Sequence, residues 1–122
     1  MGKRILVADD DQYTRVTVKT LLEHEGYVPV LCENGIKCLA HIKVEKFDLI
    51  LLDLRMPGIE TKDILAELKK LGIKTPVFFF SASYKKDTVE FSKCSEGINL
   101  VGFIEKPFDT KEFLKQIKKV LS

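Results

Sequence analysis

The apolar residues of this chain fall into two rhythms. Short unbroken runs, Ile5–Ala8, Phe47–Leu52 and Pro76–Phe80, read as strands buried on both faces. Tyr27–Cys32 and Leu100–Ile104 are shorter β-rich runs of the same kind, and Pro29 inside the first marks it as an edge strand. Between the runs, apolar residues recur at helical spacing. Asp11–Glu25 predicts a helix with Val16, Thr20 and Leu21 inward, ended by Gly26. Asn34 can cap a second helix through Val44, with Ile36, Leu39, Ala40 and Lys43-Val44 at helical spacing. Thr61–Leu71 is the clearest helix: Ile64, Leu65, Leu68 and Leu71 share a face and Gly72 stops it. Lys85–Lys93 is a weaker one. A last helix, capped by Asp109 or Thr110, turns Phe113, Leu114, Ile117, Val120 and Leu121 inward and four lysines outward.

Strand and helix alternate along the whole chain, the pattern of a parallel sheet covered on both faces. Strands 1, 3 and 4 should be central and strand 2 an edge. The fold class is therefore α/β: a doubly wound, flavodoxin-like, five-stranded parallel sheet in the order 2-1-3-4-5. One domain over residues 1–122 is expected, without linker or repeat.

Composition narrows the classes. The chain is 45% hydrophobic, enough for a core, and its net charge is only +2. That balance argues against a nucleic-acid or membrane-surface protein. MGKRILVADDD has too short an apolar run for a signal peptide, and no stretch is long enough to span a bilayer. The three cysteines, Cys32, Cys38 and Cys94, form no CxxC and read as reduced, small apolar side chains in a cytoplasmic protein. His24 and His41 lack zinc-ligand spacing.

The chemistry lies where the strands end. In such sheets ligands bind beyond the carboxyl ends of the strands. Strand 1 ends in Asp9-Asp10-Asp11, strand 3 in Asp53, strand 4 in Ser81-Ala82-Ser83 and strand 5 in Glu105-Lys106-Pro107. Converging carboxylates repel and call for a cation, and an all-oxygen set selects a hard ion such as Mg²⁺. Beside Lys106 and Ser81, such an ion makes a phosphoryl-binding site. Asp11, Glu60 and Asp63 read as helix-start residues.

VADDDQYTR, LLDLRMPG, FFFSAS and FIEKPF, in this order at four strand ends, resemble the response-regulator receiver domain of two-component signalling. The resemblance covers the whole chain. It implies that Asp53 accepts a phosphoryl group from a histidine kinase or histidine phosphotransfer protein. It implies Mg²⁺ held by Asp9, Asp10 (the more direct of the pair), Asp53 and the backbone carbonyl of Arg55. It makes Lys106, the Ser81 hydroxyl and the Ala82 N–H the phosphoryl contacts, and Ser81 with Phe103 the switch pair. The Lys106–Pro107 bond is expected cis, and Arg55 and Ser83 flank the site where the family varies its dephosphorylation rate. The surface of helix 4, strand 5 and helix 5 would change for a downstream protein or for an effector domain outside this sequence, in a monomer or weak dimer. The domain would be a switch that assists its own phosphotransfer and dephosphorylation, not an enzyme in the ordinary sense. Two alternatives differ in class. A pseudo-receiver interaction module would have lost the aspartate or the lysine. A haloacid-dehalogenase-type phosphatase would need Asp-x-Asp-x-Thr, and Tyr13 stands where the Thr belongs. Two departures stand out: VEFSKCSEGINL replaces an Ala-rich fourth helix, so that helix is expected short, shifted or mobile, and Phe103 lacks the hydroxyl of a Tyr variant.

Overall fold

A computed structural model describes residues 2–82 and 84–122. Ten elements alternate along it: β1 (Arg4–Ala8), α1 (Gln12–His24), β2 (Val28–Cys32), α2 (Gly35–Val44), β3 (Leu49–Asp53), α3 (Thr61–Lys70), β4 (Val77–Ser81), α4 (Tyr84–Phe91), β5 (Leu100–Glu105) and α5 (Thr110–Leu121). The strands form one parallel sheet in the order β2-β1-β3-β4-β5. Pro29 lies on the edge strand, where its missing N–H breaks no central ladder.

Alternate residues of each strand face opposite layers. Ile5, Val7, Leu49, Leu51, Phe78 and Phe80 meet Val18 and Leu22 of α1 and Phe113 and Ile117 of α5. Leu6, Ala8, Ile50, Leu52 and Phe79 meet Leu39 and Ile42 of α2, Ile64, Leu65 and Leu68 of α3, and Phe91 of α4. Every residue of β3 and β4 is buried, which is why these runs carry no polar alternation.

Local chemistry starts and stops the helices. Asp11 caps α1 by accepting hydrogen bonds from the Thr14 N–H and hydroxyl at 3.2 and 2.7 Å. Asn34 caps α2 through the Lys37 N–H at 2.8 Å, and Asp109 caps α5 through the Lys111 N–H at 2.9 Å. Glu60 is the N-cap residue of α3 without a side-chain cap bond, and Asp63 lies in the first turn. Gly58, at φ +98°, turns the chain between β3 and α3 where a side chain would strain it. Helix α4 is short, as expected, and a run of turns follows it over residues 92–97.

Three expected inner faces need correction. In α1, Val18 and Leu22 are buried, Leu21 only packs against their edge, and Val16 and Thr20 are exposed. In α2, Cys38, Leu39 and Ile42 are buried, whereas Ile36, Ala40 and Val44 face solvent. Both helices carry apolar residues on more than one side, so periodicity offered two stripes and docking onto the sheet chose one. In α3, Leu71 falls just beyond the helix and is exposed.

The corrected α1 face can be checked by urea unfolding. Leu22→Ala should lose about 2–5 kcal/mol through an unfilled cavity. Val16→Ala should stay within about 0.5 kcal/mol of the parent.

Candidate functional site

The β3 run ends on Asp53 because the strand carries its last side chain to the carboxyl edge of the sheet, level with Phe80 of β4. One strand over, β1 delivers Asp9 and Asp10 to the same edge. Ligand oxygens of Asp9, Asp10 and Asp53 lie within 4.8 Å of one another, a spacing that suits a shared cation. Asp9 is fully buried and Asp53 nearly so, while Asp10 is exposed.

Asp9 is spoken for on both oxygens. Its Oδ1 accepts the Asp11 N–H at 2.9 Å and its Oδ2 accepts the Lys106 ammonium at 2.5 Å. The same ammonium stands 3.5 Å from Asp53 Oδ2 and 5.4 Å from the centre of the Phe80 ring. Lys106 reaches this position because its N–H donates to the Ser81 carbonyl at 2.7 Å, tying the β5 end to the β4 end. The Lys106–Pro107 bond is cis, as expected. The Arg55 N–H donates to Asp53 Oδ1 at 3.1 Å, and Thr61 fixes the following loop by donating to the Leu54 carbonyl at 2.8 Å.

The electrostatics follow from this crowding. Burial first, then the Asp9 charge, pushes Asp53 up to about 7, against the opposing pull of the Arg55 N–H and Lys106. Burial pulls the Lys106 ammonium down, but its hydrogen bond to Asp9 and the charges of Asp53 and Asp9 more than offset that and hold it above its ordinary value. Lys106 favours Asp9, at 2.5 Å against 3.5 Å, which leaves the Asp53 carboxylate underneutralised.

A cleft of about 280 Å³ opens onto this edge, lined by Asp10, Asp53, Ala82, Lys86, Asp87 and Lys106 among others. Of the strand-end residues named from the sequence, Asp9, Asp10, Asp53, Ser81, Ala82 and Lys106 come together here, whereas Asp11 caps α1 and Glu105 and Pro107 line a separate hollow against α5. Ser83 lies outside the described residues, and Phe103 sits on the α4 side of the sheet, half-buried and edge-on to Phe79 at 5.4 Å. Sequence reasoning missed Asp87. It is 2% exposed on α4, accepts the Ser81 hydroxyl at 2.5 Å, and pairs with the Arg55 guanidinium at 2.8 Å. Nothing in the stretch KKDTVEF marks one acid as buried, because its partners are 6 and 32 residues away. The cysteines are free thiols, two of them buried, and the neighbouring Cys32 together with burial pushes the Cys38 thiol up.

The geometry has a stability consequence. Asp53 titrates higher folded than unfolded, so the folded state holds the extra proton and stability falls as pH rises from about 4 through about 7. Without divalent metal at pH 8, Asp53→Asn should unfold roughly 5 °C above the parent. The gap should close toward pH 4 and narrow when Mg²⁺ is added, as read by thermal melts across pH.

Comparison with known proteins places this arrangement. The family profile described as "Response regulator receiver domain" matches residues 5–118. Sporulation initiation phosphotransferase F of Bacillus subtilis is 30% identical over 121 residues, spanning 99% of this chain and 95% of that protein. The transcriptional regulatory protein CrdR of Helicobacter pylori is 32% identical over 120 residues, 98% of this chain but 55% of its own length. The chain spans about half the length of most of the curated relatives it matches. Among solved structures, the response regulator TrrA of Thermotoga maritima, in complex with Mg²⁺ and BeF, superposes with a TM-score of 0.80 at 30% identity, covering 98% of this chain and 99% of that one. A CheY-like receiver domain protein of Methanospirillum hungatei superposes at 0.82 with 32% identity, covering 99% of this chain and 94% of that one.

Proposed function

The chain belongs to the response-regulator receiver domain family, and from that premise we propose that residues 1–122 act as one receiver domain whose Asp53 carboxylate accepts the phosphoryl group. The observation that carries this reading is the meeting of Asp9, Asp10, Asp53 and Lys106 at one edge of the sheet. The donor is a phosphohistidine of a kinase or phosphotransfer protein. An Asp53 oxygen attacks phosphorus in line; the new P–O bond forms as the P–N bond breaks, and the P–N electron pair leaves with the imidazole. The product is an acyl phosphate carrying nearly two negative charges.

The chain's own residues meet that charge. Lys106 brings a fixed ammonium, and the Ser81 hydroxyl and Ala82 N–H supply donors at the end of β4. The donor set suits Mg²⁺, with Asp10, Asp53 and the Arg55 carbonyl as ligands and Asp9, held by Lys106 and the Asp11 N–H, behind them. When bound, the ion supplies divalent charge against carboxylate and phosphoryl oxygens. Ser81 is then drawn toward the phosphoryl oxygens, Phe103 turns inward, and the surface of α4, β5 and α5 changes for a downstream protein or an attached effector domain. The domain is a switch that helps its own phosphotransfer and dephosphorylation rather than an enzyme acting on a separate substrate. It works in the cytoplasm as a monomer or weak dimer; among the described residues no helix is long and apolar enough to cross a membrane. A pseudo-receiver would have lost Asp53 or Lys106, and both are present.

Two measurements test this. Acetyl phosphate with Mg²⁺ should add one alkali-labile phosphoryl group to the parent and none to Asp53→Asn by intact mass; equal gains in both would move the acceptor elsewhere. In a Mg²⁺ titration followed by NMR, Asp10→Asn should weaken binding by about tenfold or more, and unchanged affinity would remove Asp10 from the ligand set.

A further inference from the structure

The Ser81 hydroxyl has a single proton, and in this structure it is donated to Asp87 Oδ2 at 2.5 Å, with both residues almost wholly buried. Asp87 lines the same cleft as Asp53. Its other oxygen is held by the Arg55 guanidinium at 2.8 Å, and that guanidinium also grips Glu90 at 2.7 Å and lies over the Phe91 ring at 5.5 Å. Arg55 follows Asp53 by two residues, so the loop that ends β3 is clamped to α4 through the carboxylate that occupies the Ser81 hydroxyl.

We infer that Asp87 is a positioning residue: it holds the Ser81 hydroxyl in the unphosphorylated arrangement, so that the Ser81–Asp87 hydrogen bond and a Ser81–phosphoryl hydrogen bond exclude each other. This rests on the reading that Asp53 accepts the phosphoryl group. One O–H proton cannot serve two anions, and a charge-assisted hydrogen bond is a strong competitor. The phosphoryl group adds a second objection to the contact, since it brings negative charge into the cleft that Asp87 lines. Arg55 makes the latch reversible. When the hydroxyl leaves, the Asp87 charge keeps its guanidinium partner and is not stranded in the interior. Release therefore loosens α4 from β4 while Arg55 still tethers it to the β3 end. Asp87 thereby opposes occupancy of Asp53 and sets how strongly the α4 surface responds to it.

The test is a double-mutant cycle read by affinity for beryllofluoride in the presence of Mg²⁺. Asp87→Asn keeps the side-chain size but weakens the acceptor. It should bind beryllofluoride about tenfold more tightly than the parent, and in a Ser81→Ala background the same substitution should give less than half of that gain on a logarithmic scale. A gain of equal size in both backgrounds would mean that Asp87 acts through its charge alone, which overturns the latch. No gain, or weaker binding, overturns it as well. A parent protein that takes up no beryllofluoride brings down the phosphoacceptor reading and the latch together. A measurement on the parent needs no variant to fold: the Asp87 carboxyl ¹³C resonance should shift at saturation as the hydroxyl proton leaves. A resonance unmoved at full occupancy overturns the proposal.

Discussion

Two carboxylates, Asp9 and Asp53, are buried at the same edge of a sheet with one ammonium to share. Like charges in a weakly polarisable place destabilise the chain that holds them. The rest of the structure around them reads as the means of keeping them there. Phe79, Phe80 and the apolar Leu49–Leu52 of β3 fix the strand ends, and the hydrogen bond from the Lys106 N–H to the Ser81 carbonyl holds the ammonium over Phe80. The Arg55 N–H braces Asp53 from the loop side. One ammonium matches the charge of these acids incompletely, and the spacing of their oxygens suits a divalent cation.

That mismatch also explains why the fold can act as a switch. The core layers on the two faces of the sheet are closely filled, so they have little room to adjust gradually. The polar contacts above β4 are different. They consist of a few hydrogen bonds joining Ser81, Asp87, Arg55 and Glu90, and it is through these that we propose a change of charge at Asp53 reaches α4. The shortness of α4 and the run of turns after it lower the cost of such movement. This segment carries Asp87 and Glu90 to Arg55.

Much of this was legible from the chain alone. Unbroken apolar runs named the central strands, Pro29 named the edge, and glycines and capping residues marked the helix ends. These are local signals, set by backbone hydrogen bonding and by which residues a two-sided buried strand tolerates. Sheet order then placed Asp9, Asp10, Asp53, Ser81 and Lys106 on one edge, because strand ends of a parallel sheet share a side. The tertiary structure alone decided the rest. Which stripe of α1 and α2 faces inward depended on docking, since Val16 and Ile36 satisfy the helical period as well as Val18 and Cys38. The burial of Asp87 was beyond any local pattern. A carboxylate is admitted to the interior only where distant partners meet it, and here they are a hydroxyl at the end of β4 and a guanidinium 32 residues away.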